Sequence, residues 1–263
     1  INREIMERLP CPLFRIKKGF DLMKKQLSLV VALVTLLTTL FAAMPANAAF
    51  SDVPDDYKYK DAITTLSTLN VINGYENGTF EPEKSITRAE FTKIIVYMLG
   101  SDNMTEKITQ FEDVSEDHWA NANIKTAYDL GIINGFDEKT FKPDDPVTYE
   151  QALKMVVCAL GYETLAEQNG GYPQGYQAEA AALELTNDIT DTAYEANASR
   201  GVVSQIMYNA LEVPMLDPLT LSTAEGKNLL NDYLNTYILT GTVVGVEDST
   251  TADCTRVLGP GQM

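Results

Sequence analysis

The chain has 263 residues, with 20 basic and 37 acidic side chains, and its formal net charge at pH 7 is −17. A protein that binds nucleic acid through phosphates needs clustered cations, so this charge argues against a nucleic-acid partner. The composition is 45% hydrophobic, as in globular proteins, and the single His excludes any metal site or mechanism that needs two histidines.

The first 48 residues differ in composition from the rest. Lys24 and Lys25 precede a mostly apolar run at 27–44, and residues 46–48 read A-N-A, which is typical of a signal-peptidase site. We therefore predict a signal peptide at 23–48, a mature chain that begins at Ala49, and no membrane contact after cleavage. The alternative is a membrane anchor, but serine and threonine interrupt the apolar run. We interpret residues 1–22 as an artefact of gene prediction, upstream of the true start.

The segment that follows contains an ungapped internal repeat. F-S-D-V at 50–53 returns 61 positions later as F-E-D-V, and T-F-E-P at 79–82 returns at the same offset as T-F-K-P. Asn73-Gly74 likewise returns as Asn134-Gly135. Chance does not explain an ungapped series, so we predict two copies, at 49–100 and 111–162.

Each copy is predicted to fold as helix, loop and helix. Apolar residues recur at helical spacing before Asn73-Gly74, which we expect to end the first helix, and again after a loop marked by Gly78 and Pro82. A unit of about fifty residues cannot bury two apolar helix faces alone, so neighbouring copies must pack together.

A third, divergent copy is predicted at 163–212. Tyr176, Ala180 and Leu183 recur at helical spacing, and Ser199-Arg200-Gly201-Val202 precedes a second apolar helix pattern. The loop between these two helices has lost the Asn-Gly and Phe-x-Pro residues of the other copies.

These residues resemble the S-layer homology family. The resemblance covers about 50–212 and rests on F-S-D-V and F-E-D-V, on I-N-G-Y and I-N-G-F, on the two T-F-x-P loops, and above all on T-R-A-E at 87–90. It implies a mainly α fold in which three helix-loop-helix repeats form a pseudo-threefold bundle on an exported bacterial surface protein. It also implies grooves between copies that bind secondary cell-wall polysaccharide bearing pyruvate ketals.

The T-R-A-E residues can also be interpreted from helix chemistry. Thr87 and Glu90 are predicted to form a capping box at a helix start. Arg88 would then occupy the first helical position, where the helix dipole does not favour a cation, so nothing in folding explains it. A bound anion does, because helix N–H groups and a guanidinium both favour a carboxylate. The alternative is that Arg88 pairs with an acidic side chain of the protein.

The other two copies differ at this position. Thr148 and Gln151 keep the cap, but Tyr149 replaces the cation, whereas Arg200 keeps the cation without the reciprocal Glu. We expect the Arg88 groove to bind most strongly, the Arg200 groove more weakly, and the Tyr149 position to make no charge pair.

The predicted polysaccharide site contains Arg88, Arg200, Thr87 and Glu90, and three further residues belong to it. Trp119, next to His118 at a helix start, is the best candidate for stacking on a sugar, although it could equally anchor its helix. Gly74 and Gly135 complete the site. We predict no catalytic residues, cofactor or metal: the acidic loops at 52–56 and 113–117 lack the order of a calcium loop and suit helix N-termini.

The region at 213–263 is predicted to be a linker helix and the truncated start of a β-rich segment. Ser222 and Glu225 form a candidate capping box before a helix with one apolar face from Leu229 to Ile238, and residues 239–246 are typical of a strand without a partner.

Two functions are compatible with this organisation. The first is a noncovalent anchor that holds an exported protein, of a surface layer or associated with one, on a bacterial cell wall, with self-association in a surface lattice. The second is the attachment region of an exported polysaccharide or cell-wall hydrolase whose catalytic domain is not in this chain.

Overall fold

The computed structural model describes residues 50–101, 105–108, 110–223 and 227–234, together with the backbone of 237–242 and 253–258. The predicted signal peptide and the segment at 1–22 lie outside these residues. Within the described ranges, no helix has the length and apolar character needed to cross a bilayer.

The described part of the chain is mainly α-helical, as predicted. Its helices are α1 (Lys60–Thr68), α2 (Arg88–Met98), α3 (Asn121–Asp129), α4 (Tyr149–Ala159), α5 (Glu163–Gln168), α6 (Gln174–Ala182) and α7 (Arg200–Ala210). The predicted helix pairs correspond to α1 and α2, to α3 and α4, and to α6 and α7. The short helix α5 was not predicted, because six residues are too few to establish a helical period.

The helices α1, α3 and α6 each end before a residue with left-handed backbone. These residues are Asn70 (φ 58°), Gly131 (φ 72°) and Glu184 (φ 60°). The prediction that Asn73-Gly74 ends the first helix was therefore wrong. The helix ends at Thr68, five residues before Asn73, and Asn70, just beyond this end, adopts the conformation that Gly adopts more easily in the second copy.

The second helix of each pair begins at a capped residue. Thr87 and Glu90 form the predicted capping box at α2, and Thr148 and Gln151 form the predicted one at α4. Ser199 accepts a hydrogen bond from the Val202 N–H at α7, without the reciprocal bond. These three helix starts are confirmed.

The residues just before these three helices are joined in a closed ring of backbone hydrogen bonds. The Ile86 N–H donates to the Ala198 carbonyl (3.1 Å), the Val147 N–H to the Ile86 carbonyl (3.1 Å), and the Ala198 N–H to the Val147 carbonyl (2.9 Å). All three residues are buried. The ring fixes the three helix starts beside one another in the core.

Helix packing follows the same cyclic order. α2 packs against α3, α4 packs against α6, and α7 packs against α1. The second helix of each pair therefore buries its apolar face against the first helix of the next pair, which is the mutual packing that the short repeat required.

The repeated Asp of the F-x-D-V motif holds the loop between the two helices. The Asp52 carboxylate accepts hydrogen bonds from the Phe80 N–H (2.8 Å) and the Glu81 N–H (2.7 Å). Asp113 makes the equivalent bonds to Phe141 and Lys142, at 2.9 and 2.7 Å. These contacts give the motif a structural role.

The region after α7 differs from the prediction. Ser222 does not cap a helix: Ser222–Thr223 (β2) pairs antiparallel with Leu216–Asp217 (β1). The Leu216 N–H donates to the Leu160 carbonyl (2.9 Å), so this hairpin is tied to the end of α4. The predicted partner Glu225 lies outside the described residues. Long-range contacts with the helices, rather than local cap chemistry, decide the structure here.

The predicted linker helix is a single π-helical turn, Leu229–Tyr233, capped by Asn228, whose side chain accepts from the Asn231 N–H. The segment from Tyr237 to Thr242 (β3) pairs antiparallel with Asp253–Leu258 (β4). The expectation of one strand without a partner was therefore wrong, and Tyr237 and Ile238 belong to a strand rather than to the helix.

Candidate functional site

Arg88, the first residue of α2, reaches across to the loop that precedes α4. Its Nε donates to the Phe141 carbonyl (2.8 Å) and one terminal nitrogen donates to the Asn134 carbonyl (3.4 Å). Its guanidinium lies 4.6 Å from the centre of the Phe141 ring. The expectation that folding does not explain Arg88 was therefore wrong, because this side chain joins two neighbouring copies.

Arg200, the first residue of α7, makes the same contacts with the loop that precedes α2. Its Nε donates to the Phe80 carbonyl (2.8 Å), a terminal nitrogen donates to the Asn73 carbonyl (2.9 Å), and the guanidinium lies 4.5 Å from the Phe80 ring centre. Thus the two arginines occupy equivalent positions.

The backbone N–H groups at these helix starts are already used. The Arg88 N–H donates to the Asp145 carbonyl and the Ala89 N–H donates to the Pro143 carbonyl, both at 3.0 Å. The expectation that free helix N–H groups would contribute to anion binding at Arg88 was therefore wrong. Any anion here must be held by side chains.

Neither arginine forms an ion pair with a carboxylate among the described residues. Burial lowers the pKa of the Arg88 guanidinium from its ordinary value, although the more distant Asp145 and Asp113 act in the opposite direction. Each arginine uses Nε and one terminal nitrogen, and the other terminal nitrogen has no partner in the described part of the chain. Each guanidinium therefore keeps one terminal nitrogen that can donate hydrogen bonds to a ligand, and it has no counterion among the described residues.

We call the opening beside Arg88 the Arg88 cleft. It has a volume of about 260 Å³ and its polar and aromatic lining includes Arg88, Asn134, Gly135, Gln151, Lys154 and Tyr172. The Lys154 ammonium lies 5.4 Å from the Tyr172 ring centre. No acidic side chain belongs to the described lining, so the lining residues carry two formal positive charges and an aromatic surface. Glu150 lies next to this lining and accepts a hydrogen bond from the Tyr172 hydroxyl (3.0 Å).

The opening beside Arg200 is the Arg200 cleft. It has a volume of about 590 Å³ and its lining includes Arg200, Asn73, Glu90, Lys93, Trp119 and Asn123. The Lys93 ammonium lies 5.8 Å from the Trp119 ring centre, and Trp119 is 54% exposed. The Arg200 cleft therefore also has two cationic side chains and an exposed aromatic ring, but its lining includes one acidic side chain, Glu90.

The linings correspond position by position. Lys93 and Lys154 are 61 positions apart, as are Asn73 and Asn134. Trp119 and Tyr172 each lie two residues before a first helix, α3 or α6. Each cleft therefore takes its arginine from one helix pair, its loop and lysine from the next pair, and its aromatic ring from the start of the pair after that.

The third equivalent position is different. Tyr149, the first residue of α4, is buried and stacks on Tyr194 with ring centres 5.5 Å apart and planes 7° apart. Lys58, which lies two residues before α1 as Trp119 lies before α3, is ion-paired with Asp191. Among the described residues, this interface therefore has Tyr149 at the position of the arginine and Lys58 at the position of Trp119 and Tyr172.

Comparison with known proteins now identifies the repeat. The S-layer homology domain matches residues 49–92 and 110–153. The chain contains two S-layer homology domains. The 163–212 region is not matched by this domain, so two of the three predicted copies are found.

The relatives of these S-layer homology domains include surface proteins and enzymes. A "Cell surface protein" of Thermoanaerobacter kivui is 33% identical over 224 residues, 82% of this chain and 28% of the relative. A "Middle cell wall protein" of Brevibacillus brevis is 32% identical over 231 residues, 86% of this chain and 22% of the relative. An "Amylopullulanase" of Thermoanaerobacterium thermosulfurigenes is 31% identical over 189 residues, 65% of this chain and 10% of the relative.

The chain spans 28% or less of the length of these relatives. The S-layer homology domains and the surface-protein relatives confirm the predicted location outside the cell, at the cell wall or surface layer. They also support a cell-wall anchoring role for these domains, which are not themselves catalytic, while some relatives are enzymes.

The other predicted site residues have distinct positions in the two S-layer homology domains. Gly135 lines the Arg88 cleft, whereas Gly74 is not among the described residues that line the Arg200 cleft. A Cβ on Gly74 would lie 2.3 Å from the Phe50 ring, and one on Gly135 would lie 2.7 Å from the Phe111 ring. Both glycines are therefore required for close packing against the F-x-D-V motif.

Lys93, Lys154 and Tyr172 line the clefts but were not predicted from the sequence as site residues. A signal for the lysines was present, since both stand three positions after the Glu or Gln of the capping box. Such a residue lies on the same helix face as the cap. Tyr172 could have been found from Trp119 by its distance from the next helix start.

Proposed function

We propose that this chain is a noncovalent anchor that holds an exported protein, of a surface layer or associated with one, on the bacterial cell wall. Its ligand is secondary cell-wall polysaccharide that carries pyruvate ketals. The observation that carries the proposal is the pair of matched clefts. In each one, a guanidinium without a carboxylate partner in the described residues lies near a lysine and an aromatic side chain.

A ketal carboxylate matches the charge of these clefts. A partly buried guanidinium without a counterion is stabilised by an anion, and a carboxylate can accept hydrogen bonds from its free edge. Lys154 or Lys93 supplies a second positive charge at the same surface. The aromatic ring at the rim offers an apolar face to the sugar that bears the ketal.

A single cleft does not provide high affinity. A charge-assisted hydrogen bond contributes about 1.5 to 3 kcal/mol, whereas micromolar binding requires about 8 kcal/mol. Two clefts that bind one long polymer gain effective concentration for the second contact. We therefore propose that the Arg88 and Arg200 clefts bind the same chain of polysaccharide.

We also propose that residues 163–212 are a divergent third copy and that the three copies form a pseudo-threefold bundle. The closed hydrogen-bond ring of Ile86, Val147 and Ala198 supports this arrangement. The cyclic packing of α2 on α3, α4 on α6 and α7 on α1 supports it as well. Among the described residues of the third interface, at Tyr149, no arginine is available for a carboxylate, and Lys58 is already ion-paired with Asp191.

A second candidate function is the attachment region of an exported enzyme that hydrolyses polysaccharides or the cell wall. It is favoured by relatives named "Amylopullulanase" and "Endo-1,4-beta-xylanase A", the latter from Thermoanaerobacterium saccharolyticum and 35% identical over 111 residues. Sequence downstream of residue 263 discriminates the two. Long Thr-, Val- and Gly-rich strands favour a lattice-forming protein, and a domain with a carboxylate-lined cleft favours the hydrolase.

Sedimentation with purified cell walls tests the anchoring proposal. The protein should sediment with intact walls and stay in solution after the polysaccharide has been extracted or its ketal pyruvate removed by mild acid. Retention on depyruvylated walls would contradict the proposed ligand.

A further inference from the structure

The third helical residue of α2 and of α4 lies at the wall of a cleft. Glu90 lines the Arg200 cleft and Gln151 lines the Arg88 cleft. Both side chains are held by the same capping bond: Oε2 of Glu90 accepts from the Thr87 N–H (2.9 Å) and Oε1 of Gln151 accepts from the Thr148 N–H (3.2 Å). Their orientation is therefore equivalent.

The capping bond leaves a different atom free in each case. In Glu90 the remaining atom is the carboxylate oxygen Oε1, which can only accept a hydrogen bond. In Gln151 it is the amide nitrogen Nε2, which can only donate. Neither atom has a hydrogen-bond partner in the part of the chain that the structure describes.

The formal charges of the clefts differ for the same reason. Arg88 and Lys154 face a neutral Gln151, whereas Arg200 and Lys93 share their cleft with the anionic Glu90. A carboxylate entering the Arg200 cleft meets one like charge, and a carboxylate entering the Arg88 cleft meets none among the described lining residues.

We propose that Glu90 and Gln151 set the charge selectivity of the two clefts, an inference that rests on the proposed function. The Arg88 cleft discriminates strongly between a sugar with a carboxylate and the same sugar without one. The Arg200 cleft discriminates less, because Glu90 opposes the carboxylate and accepts hydrogen bonds from sugar hydroxyls instead.

The two residues can be exchanged without loss of the helix cap. A capping box accepts Glu or Gln at its third helical position, and this chain uses each of them once. Glu90→Gln and Gln151→Glu are therefore matched variants that change the cleft charge and keep the fold. Equal thermal midpoints of the variants and the unchanged protein would verify this.

Each cleft can be observed separately. Trp119 is the single tryptophan of the chain and lines the Arg200 cleft, so its fluorescence reports on that cleft alone. Tyr172→Trp in a Trp119→Phe background moves the reporter to the Arg88 cleft. The probes are short fragments of pyruvylated wall polysaccharide and the same fragments with their carboxylates reduced to alcohols, each too short to reach two clefts.

The measured quantity is the ratio of affinities for the charged and the reduced fragment. Glu90→Gln should raise this ratio in the Arg200 cleft by about fivefold to tenfold, and Gln151→Glu should lower it in the Arg88 cleft by a similar factor. High salt should reduce both effects. Charged fragments that bind both clefts with ratios unaffected by either exchange would overturn this inference alone. Absence of any response to the charged fragments would overturn the proposed function as well.

Discussion

The Arg88 cleft and the Arg200 cleft are built on the same backbone and differ in a few side chains. In both, an arginine at a helix start donates to two carbonyls of a neighbouring loop and stacks on a buried phenylalanine. The Arg88 cleft adds Gln151 and Tyr172, whereas the Arg200 cleft adds Glu90 and Trp119. The repeat therefore fixes the position of the arginine, whereas single substitutions among the lining residues determine the formal charge of each lining.

The Tyr149 position completes this comparison. Its backbone N–H donates to the neighbouring loop at Ala196, as that of Arg88 donates to the loop at Asp145, and its ring stacks on Tyr194. The same interface therefore forms with a tyrosine in place of the arginine. An arginine is thus not required at this position for the packing of neighbouring helix pairs, and a bound carboxylate is the explanation that we propose for the unpaired charge of Arg88 and Arg200.

The largest expected effect on binding comes from Arg88. Arg88→Ala should weaken the binding of a pyruvylated fragment to the Arg88 cleft by about 2 to 5 kcal/mol, because a desolvated charge pair is lost. Arg88→Lys should restore only part of this energy, since lysine lacks the planar fork of donors. Titration calorimetry measures both, with the thermal midpoint as a control for the lost contact with Asn134. A folded Ala variant that still sediments fully with walls would contradict the assignment.

Tyr149→Ala tests the third position. Removal of this buried ring should lower the free energy of unfolding by about 3 kcal/mol, because it leaves a cavity beside Tyr194. The affinity of the folded fraction for wall fragments should stay the same. Denaturant unfolding and calorimetry below the transition separate the two quantities. A loss of affinity equal to that of Arg88→Ala would show that the three interfaces are not distinct.

A substitution of Asp52 tests whether the F-x-D-V motif holds the loop that Arg200 contacts. Burial raises the pKa of the Asp52 carboxyl, whereas hydrogen bonds from the N–H groups of Phe80 and Glu81 lower it. The lowering effects together are larger, so the pKa lies below the ordinary value of 3.8. Its contribution to stability is therefore complete above pH 3.8 and is lost as the pH falls through the lowered pKa.

Asp52→Asn should accordingly lower the free energy of unfolding by about 1.5 kcal/mol at neutral pH and flatten its decline in acid. It should weaken binding at the Arg200 cleft more than at the Arg88 cleft, since Asp113 still holds the second loop. Urea titrations from pH 7 to pH 3 measure the stability term. An equal pH dependence in the variant would refute the role of Asp52.

The smallest expected difference concerns the two lysines. Lys154→Met and Lys93→Met should each weaken the binding of charged fragments by about 1 kcal/mol at low salt, because one attractive charge is removed near the surface. The loss should be similar in the two clefts although their total charges differ. A loss confined to one lysine would show that only that side chain reaches the ligand.

Local chemistry predicted much of this fold. Thr87, Thr148 and Ser199 were found from cap patterns alone, because a cap depends on residues three positions apart. The contact of Arg88 with Asn134 was missed, since it joins residues from different copies that nothing local connects. For the same reason the sequence pattern did not show that Trp119 and Lys93 share a cleft with Arg200.

The region after α7 was the least predictable. Ser222 and Glu225 had the spacing of a capping box, but the hairpin of Leu216–Asp217 with Ser222–Thr223 takes Ser222 into a strand. Leu229 and Leu230 are buried, and they belong to a single π-helical turn rather than to the longer helix that the apolar pattern predicted. Tertiary packing overrides local propensity where a segment is this short.

The central claim is that Arg88 and Arg200 bind a carboxylate carried by the wall polysaccharide. The most direct test is the ¹H–¹⁵N signal of each arginine Nε–H, assigned with the variants Arg88→Lys and Arg200→Lys and followed during titration with pyruvylated fragments. The account predicts that both signals shift on addition of these fragments and shift less on addition of the same concentration of carboxyl-reduced fragments, with the larger difference at Arg88. Binding of the pyruvylated fragments with both signals unmoved would contradict it.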